Sequence, residues 1–213
     1  MKKIILTTFS LVAFTFSHAQ SNVNTTSGLG FGVKGGVNFS NLYTEEVDDN
    51  NVLTSFHVGV FVTIPIVDFF GIQTEVLYSR KGAELAYNNA FLTGTAQFRL
   101  NYIEVPVLLK FNITENFNIH AGPYVAYLID ADVVNKSSNA NFDFEENLNN
   151  DDFNKFDYGL SAGLGFDFNS FGIGARYNYG LATVGKERNF FGTNYAFPDG
   201  KNSNISIYAA LKF

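Results

Sequence analysis

The chain has 213 residues, 46% hydrophobic, 16% aromatic and 16% charged, with a formal net charge of -6 and no cysteine. An acidic balance argues against nucleic acid as a partner, and the missing cysteine excludes a disulfide scaffold or a thiolate metal site. A chain of this length is expected to form one domain.

The first twenty residues point to export. Lys2 and Lys3 form a basic start, Ile4 to Phe16 is an apolar run broken only by Thr and Ser, and Ser17-His18-Ala19 supplies the small residues a signal peptidase reads. Residues 1–19 are therefore expected to be a signal peptide cleaved before Gln20, residues 20–29 a short periplasmic tail, and residues 30–213 a β-barrel. The apolar run is too short for a spanning helix, and the lack of a following Cys argues against a lipoprotein anchor. Losing Lys2 and Lys3 would take the formal charge from -6 to -8. No later apolar stretch reaches the roughly 18 residues of a membrane helix. Any crossing is expected to be made by strands, whose alternating faces average to neutral hydropathy.

In chain order, strands are predicted at 30–42, 55–66, 70–82, 98–111, 117–130, 155–168, 171–183 and 204–213. The period of two is clearest in the sixth and seventh. Phe156, Tyr158, Leu160, Ala162, Leu164, Phe166 and Phe168 share one face, and Asp157, Gly159, Ser161, Gly163, Gly165 and Asp167 share the other. The connections alternate. Val67–Phe69, Asn112–Asn116 and Asn169-Ser170 are short, whereas 43–54, 83–97, 131–154 and 184–203 are long and rich in Asn, Asp, Gly and Ser. That alternation predicts an all-β, eight-stranded antiparallel up-and-down transmembrane β-barrel of the OmpA/OmpX type, with short periplasmic turns, long extracellular loops and both termini at the periplasmic end.

Aromatic residues gather beside the short turns: Phe31, Phe69, Phe70, Phe111, Phe117, Phe168 and Phe171 are expected to form a periplasmic girdle at headgroup depth. The last strand alternates Ile205, Ile207, Ala209, Leu211 and ends on Phe213. It resembles the signal read by the barrel-assembly machinery of Gram-negative bacteria, an expected partner in biogenesis. No peptidoglycan-binding domain follows, so wall anchoring is not expected.

Alternation alone does not say which face is the core. A water-soluble barrel would turn the apolar set inward, but an eight-stranded interior is only just wide enough to be filled by side chains, and the apolar faces here hold several dozen large ones. The lipid-facing set is expected to include Val58, Val60, Val62, Ile64, Val76, Tyr78, Ile103, Val105, Val107, Leu109, Val125, Tyr127 and Ile129. The lumen would receive Lys34, Asn38, His57, Glu75, Glu104, Lys110, His120, Tyr124, Asp130, Asp157, Asp167, Arg176 and Lys212. Pro106 would point inward and produce a local bulge. Outer-membrane lipid and lipopolysaccharide are the expected surroundings.

Five segments carry a family resemblance: Gly32-Val-Lys-Gly-Gly-Val-Asn-Phe-Ser-Asn41, Tyr78-Ser-Arg-Lys-Gly82, Tyr102-Ile-Glu-Val-Pro-Val-Leu-Leu-Lys110, Gly122-Pro-Tyr124 and Arg176-Tyr-Asn-Tyr-Gly-Leu181. In this order the sequence resembles the PorT-like, "porin family" outer-membrane β-barrel proteins of Bacteroidota, from about Gly30 to Phe213. The resemblance implies an outer-membrane barrel and, through the founding member, a link to secretion by the type IX system. It supplies no catalytic or ligand residues.

Three sets of residues are candidates for chemistry. Lys34, Glu75, Glu104 and Arg176 are expected to form a polar network in the lumen, with the Glu75–Glu104 pair facing the Arg176 guanidinium. Such a network either plugs the barrel or lines a gated ion or proton path. His57, beside Ser55, is the one histidine placed to serve a lipid-modifying enzyme at the outer rim, a site that would also need an orienting acid. Glu45, Glu46, Asp48, Asp49, Asp143, Glu145, Glu146, Asp151 and Asp152 could offer Ca²⁺ oxygen ligands, but read equally as solvated, self-repelling loops. The favoured expectation is a non-enzymatic barrel without cofactor, structural or interacting through its loops with a secretion-system or cell-surface partner. A small transport pore and a rim enzyme are the alternatives.

Overall fold

The period of two sorts each strand into an apolar and a polar face, and a ring of such strands leaves no unpaired edge. The computed structural model describes residues 28–43, 52–88, 93–137, 143–148, 152–186, 188–190, 193–195 and 200–213. The expected signal peptide, nearly all of the expected tail, and Glu45, Glu46, Asp48, Asp49 and Asp151 lie outside these residues. The strands are β1 (Gly30–Tyr43), β2 (Leu53–Val67), β3 (Phe70–Asn88), β4 (Thr93–Asn112), β5 (Phe117–Ser137), β6 (Phe144–Asn147), β7 (Phe156–Asp167), β8 (Phe171–Thr183), β9 (Arg188–Phe190), β10 (Thr193–Tyr195) and β11 (Lys201–Lys212). The order β4-β3-β2-β1-β11-β8-β7-β5, closed by β4–β5 pairing, makes an antiparallel up-and-down ring of eight strands. β6 adds to the far end of β5, and β9 and β10 form a separate hairpin.

β3, β4 and β5 run further than expected, to Asn88, from Thr93 and to Ser137. Much of the predicted loops 83–97 and 131–154 is therefore strand. Alternation fails there because the two faces no longer differ: Gln97 donates to Glu84 at 2.7 Å and Arg99 to Gln97 at 2.8 Å across partly exposed sheet. The short connections lie at Asp68-Phe69, 113–116 and 168–170. Phe213 N donates to Phe31 O at 2.9 Å, which places β1 and β11 side by side at that end.

The bulge expected at Pro106 is absent. Registers on both sides keep one phase through this residue, and the shift falls instead at Asn101/Tyr102. What Pro106 does cost is ladder pairing. No pair forms between Thr74↔Val107 and Leu77↔Glu104, next to the residue that lacks an N–H. Pro123 is matched by a similar lapse between Pro106↔Tyr124 and Leu109↔Ala121.

The outer wall is apolar. Leu160 is 57% exposed and Ile207 55%, whereas Glu75 is 1% and Arg176 3% exposed. This inverts the arrangement of a water-soluble barrel, and it is the arrangement lipid demands.

Gly82 has φ 145°, and a Cβ there would meet the carbonyl oxygen of Phe98 on β4. Gly82→Ala is expected to destabilise the folded barrel by about 1–3 kcal/mol, read as a lower midpoint of urea unfolding in detergent or bilayer; an unchanged midpoint would show that the backbone relaxes freely.

Candidate functional site

The interior is built in layers from the short-turn end. Asp167 forms the first, accepting from Lys110 Nζ at 2.6 Å, Lys212 Nζ at 2.7 Å and Asn118 Nδ2 at 2.9 Å. Asp167, Lys110 and Lys212 border an open cavity of about 320 Å³. The second layer centres on Glu75. Arg176 on β8 grips it bidentately, NH1 to Oε2 at 2.8 Å and NH2 to Oε1 at 2.7 Å. Lys34 Nζ and Gln73 Nε2 reach the same Oε1 at 2.9 and 2.6 Å. The Lys34 ammonium also stands 3.5 Å above the Tyr208 ring centre, and Arg176 Nε donates to His120 Nε2 at 3.4 Å. Room for this layer depends on Gly163, where a Cβ would lie 2.6 Å from His120 Nε2 and 3.0 Å from Arg176 Cα.

The third layer is a second ion cluster. Lys81 Nζ lies 2.5 Å from Glu104 Oε2 and 3.7 Å from Asp157 Oδ2. Asn178 Nδ2 donates to Glu104 Oε1 at 3.0 Å, while Tyr124 Oη and Asn202 Nδ2 donate to Asp157 Oδ2 at 3.2 and 3.0 Å. Beside it, His57 Nδ1 pairs with Asn38 Oδ1 at 2.9 Å, and Asn38 Nδ2 reaches Ser79 Oγ and the Arg80 carbonyl. Above stands an apolar layer: Leu42, Ala83, Leu100, Tyr102, Leu128, Ala131, Phe153 and Val184 are all buried in one cluster.

Lys34, Glu75, Glu104 and Arg176 are thus all buried in the interior, but they do not form one group. The expected pairing of Glu104 with Arg176 does not form: Arg176 holds Glu75, and Glu104 answers Lys81, a residue outside the expected lumen set. The parity 75, 77, 79, 81 on β3 was the available signal for Lys81. Asp130 sits beside the register shift, partly exposed, with Asn101 Nδ2 3.5 Å away. His57 is not a rim base: it is 4% exposed and held by Asn38, while Ser55 Oγ donates to the Arg80 carbonyl at 2.6 Å. Of the expected cation ligands, Asp143 accepts from Ser137 N at 2.7 Å, and Glu145 and Glu146 lie on exposed β6. Among the described residues no cluster of three such groups could hold a metal ion.

The phenylalanines beside the short turns sit on the outer wall in contacting pairs. Phe31–Phe213 ring centres are 6.0 Å apart, Phe70–Phe111 4.9 Å, Phe117–Phe166 5.2 Å and Phe168–Phe171 6.2 Å.

A closed eight-stranded meander, apolar outside and charged within, defines an outer-membrane β-barrel protein. Residues 18–184 match the model of the outer membrane protein beta-barrel domain, and the chain belongs to that family. No curated protein sequence matches it. Among solved structures it is similar to Ail, the attachment invasion locus protein of Yersinia pestis, at 14% identity, covering 88% of this chain and 100% of that one, with a TM-score of 0.47. Neisserial surface protein A gives 15% identity, 88% and 98% coverage and a TM-score of 0.48. OprG from Pseudomonas aeruginosa gives 12% identity, 90% and 96% coverage and a TM-score of 0.39.

The geometry of the Glu75 layer orders two mutants. Arg176→Ala leaves a Lys34–Glu75 pair, whereas Glu75→Ala leaves two buried cations with no anion between them. Breaking such a buried pair costs about 3–5 kcal/mol. Both variants are expected to unfold at lower urea concentration, Glu75→Ala the more so; equal or unchanged midpoints would contradict this account of the interior.

Proposed function

We propose that the chain is a non-conducting, non-enzymatic barrel of the outer membrane that acts by interaction, through the end carrying its long connections. The observation that supports this most is the interior. From Asp167 through Glu75 and Glu104 to the apolar layer at Leu100 and Tyr102, cross-lumen contacts occupy every level. Leu100 and Tyr102 are each 1% exposed. A lumen filled this way suits a rigid support for a binding surface better than a path for solutes. The extension of β3, β4 and β5 past the ring, with β6 added to its side, gives that surface a sheet rather than bare loops.

The finer reading follows the sequence resemblance: a PorT-like member from a Bacteroidota outer membrane, exported by cleavage before Gln20, assembled through the Phe213 signal, and working beside a secretion-system or cell-surface protein. In-membrane cross-linking from positions on β6, followed by identification of the captured protein, tests the partner, and the mature N-terminal mass tests the cleavage.

Reconstituted in planar bilayers, the purified barrel is expected to give no stable conductance steps. Sustained steps whose size changes with Glu75→Gln would overturn the closed-lumen reading and favour a pore.

A further inference from the structure

β7 accompanies β5 only as far as Tyr127↔Phe156 and the Leu128 N to Lys155 O bond of 2.8 Å. The segment before β7 is clamped to the end of β8 instead: Asn154 Nδ2 donates to the Thr183 and Gly185 carbonyls at 2.8 and 3.1 Å. β6 takes the flank of β5 that β7 leaves, in the register Asp132↔Asn147 to Asn135↔Phe144. Both ends of this pairing are fastened. Asp143 Oδ1 accepts from Ser137 N at 2.7 Å at one, and Leu148 N donates to Ala131 O at 2.8 Å at the other.

The Leu148–Ala131 bond sets which main-chain groups are left over. Hydrogen-bonded and non-hydrogen-bonded pairs alternate along an antiparallel ladder. With Leu148 bonded to Ala131, the bonded pairs are Glu146↔Val133 and Phe144↔Asn135. The N–H and C=O groups of Glu145 and Asn147 therefore point away from β5. Among the described residues β5 is the only strand paired with β6, and all four β6 residues are exposed. The closed ring has no free edge, and β6 supplies one. Its side chains put a carboxylate on each face, Glu146 beside Phe144 on one and Glu145 beside Asn147 on the other. Arg99 NH1 lies 3.9 Å from Glu145 Oε1, yet the Glu145 side chain stays 69% exposed.

We propose that β6 receives an extended basic segment of a partner protein as an added strand. Glu145 and Asn147 supply the main-chain bonds, which give an added strand its affinity. Two successive lysines or arginines would meet Glu145 and Glu146 on the two faces, and an apolar side chain would cover Phe144, 51% exposed. An acidic segment would set like charges side by side, and a helix would leave the edge groups unpaired. The site rests on the interaction role proposed above and gives its partner a chemistry.

The test uses the full isotope-labelled barrel in detergent micelles and a capped Thr-Val-Lys-Lys-Val-Thr peptide, with binding read from the amide resonances and hydrogen exchange of Glu145 and Asn147. Wild type is expected to bind this peptide about tenfold more tightly than a Glu-Glu peptide of the same frame, with slowed exchange at both amides. Glu145→Pro removes an outward donor and no bond to β5, so it should abolish binding. Glu145→Gln/Glu146→Gln should remove the preference for lysine over glutamate. A Lys-Lys peptide N-methylated at every residue should not bind, an arm that needs no protein variant if Glu145→Pro disturbs β6. Binding of the methylated peptide, full binding to Glu145→Pro with β6 intact, or no binding to wild type would overturn the site. Impermeant maleimide on intact cells carrying folded Asn147→Cys barrel separates the two claims. Absent labelling would sink the outward interaction role and the site with it, whereas labelling without peptide binding sinks only the site.

Discussion

The Arg176–Glu75 contact spans the barrel. β3 and β8 stand four places apart in a ring of eight, so these side chains meet across the lumen rather than along its wall. Neighbouring strands are held by their backbone ladders, and closing eight of them sets the mean radius of the ring, but the ladders do not keep a given pair of opposite walls from moving together or apart. In lipid the hydrophobic effect does not press the walls inward either, since the outer face is already in apolar surroundings. Cross-lumen polar contacts must do it. The guanidinium fork fixes distance and rotation together, and Lys34 and Gln73 add two further donors to Glu75 Oε1.

Charge is distributed with the same economy. The Glu75 layer sets two cations, Lys34 and Arg176, against one carboxylate; the next sets two carboxylates, Glu104 and Asp157, against Lys81. The formal excesses are opposite and adjacent. Each would be expensive alone in a low-dielectric interior, and together the two layers are formally neutral. The tyrosines extend this balance: Lys34 lies on the Tyr208 ring, and Lys81 lies 4.5 Å from the Tyr124 ring centre. The small residues opposite, Gly163 and Gly174 among them, are the space these groups occupy; a Cβ on Gly174 would run into the Tyr208 hydroxyl.

Period and turn length carried most of this architecture in plain view. Eight strands, their order, the alternation of short and long connections and the outward set from Val58 to Ile129 all follow from side chains that alternate because one face meets lipid. Where that cause stops, so does the signal. Residues 83–88 and 93–97 pair beyond the lipid-facing part of the wall, with polar groups such as Glu84 and Gln97 in contact, and nothing in their order distinguishes strand from loop. The partners inside the lumen were obscured for a different reason. Parity says that Glu75, Glu104 and Arg176 point inward, but which carboxylate meets which cation depends on the stagger of the ring and on reach across it. Lys81 was hidden by its neighbours, since Arg80-Lys81-Gly82 looks like the charged end of a strand. The leucines of inward parity, Leu77, Leu108 and Leu128, already contradicted a wholly polar lumen, and in the fold Leu128 belongs to the apolar layer.

That apolar layer and the gap in the β7–β8 ladder lie next to each other. Phe153 and Val184, which close the lumen from above, come from the segments that the Asn154 clamp pulls together. Just below them the ladder between β7 and β8 is interrupted, between Gly159↔Gly180 and the Phe153↔Gly185 bridge. The side chains that stopper the lumen are thus held by the Asn154 clamp and a single bridge rather than by a continuous ladder.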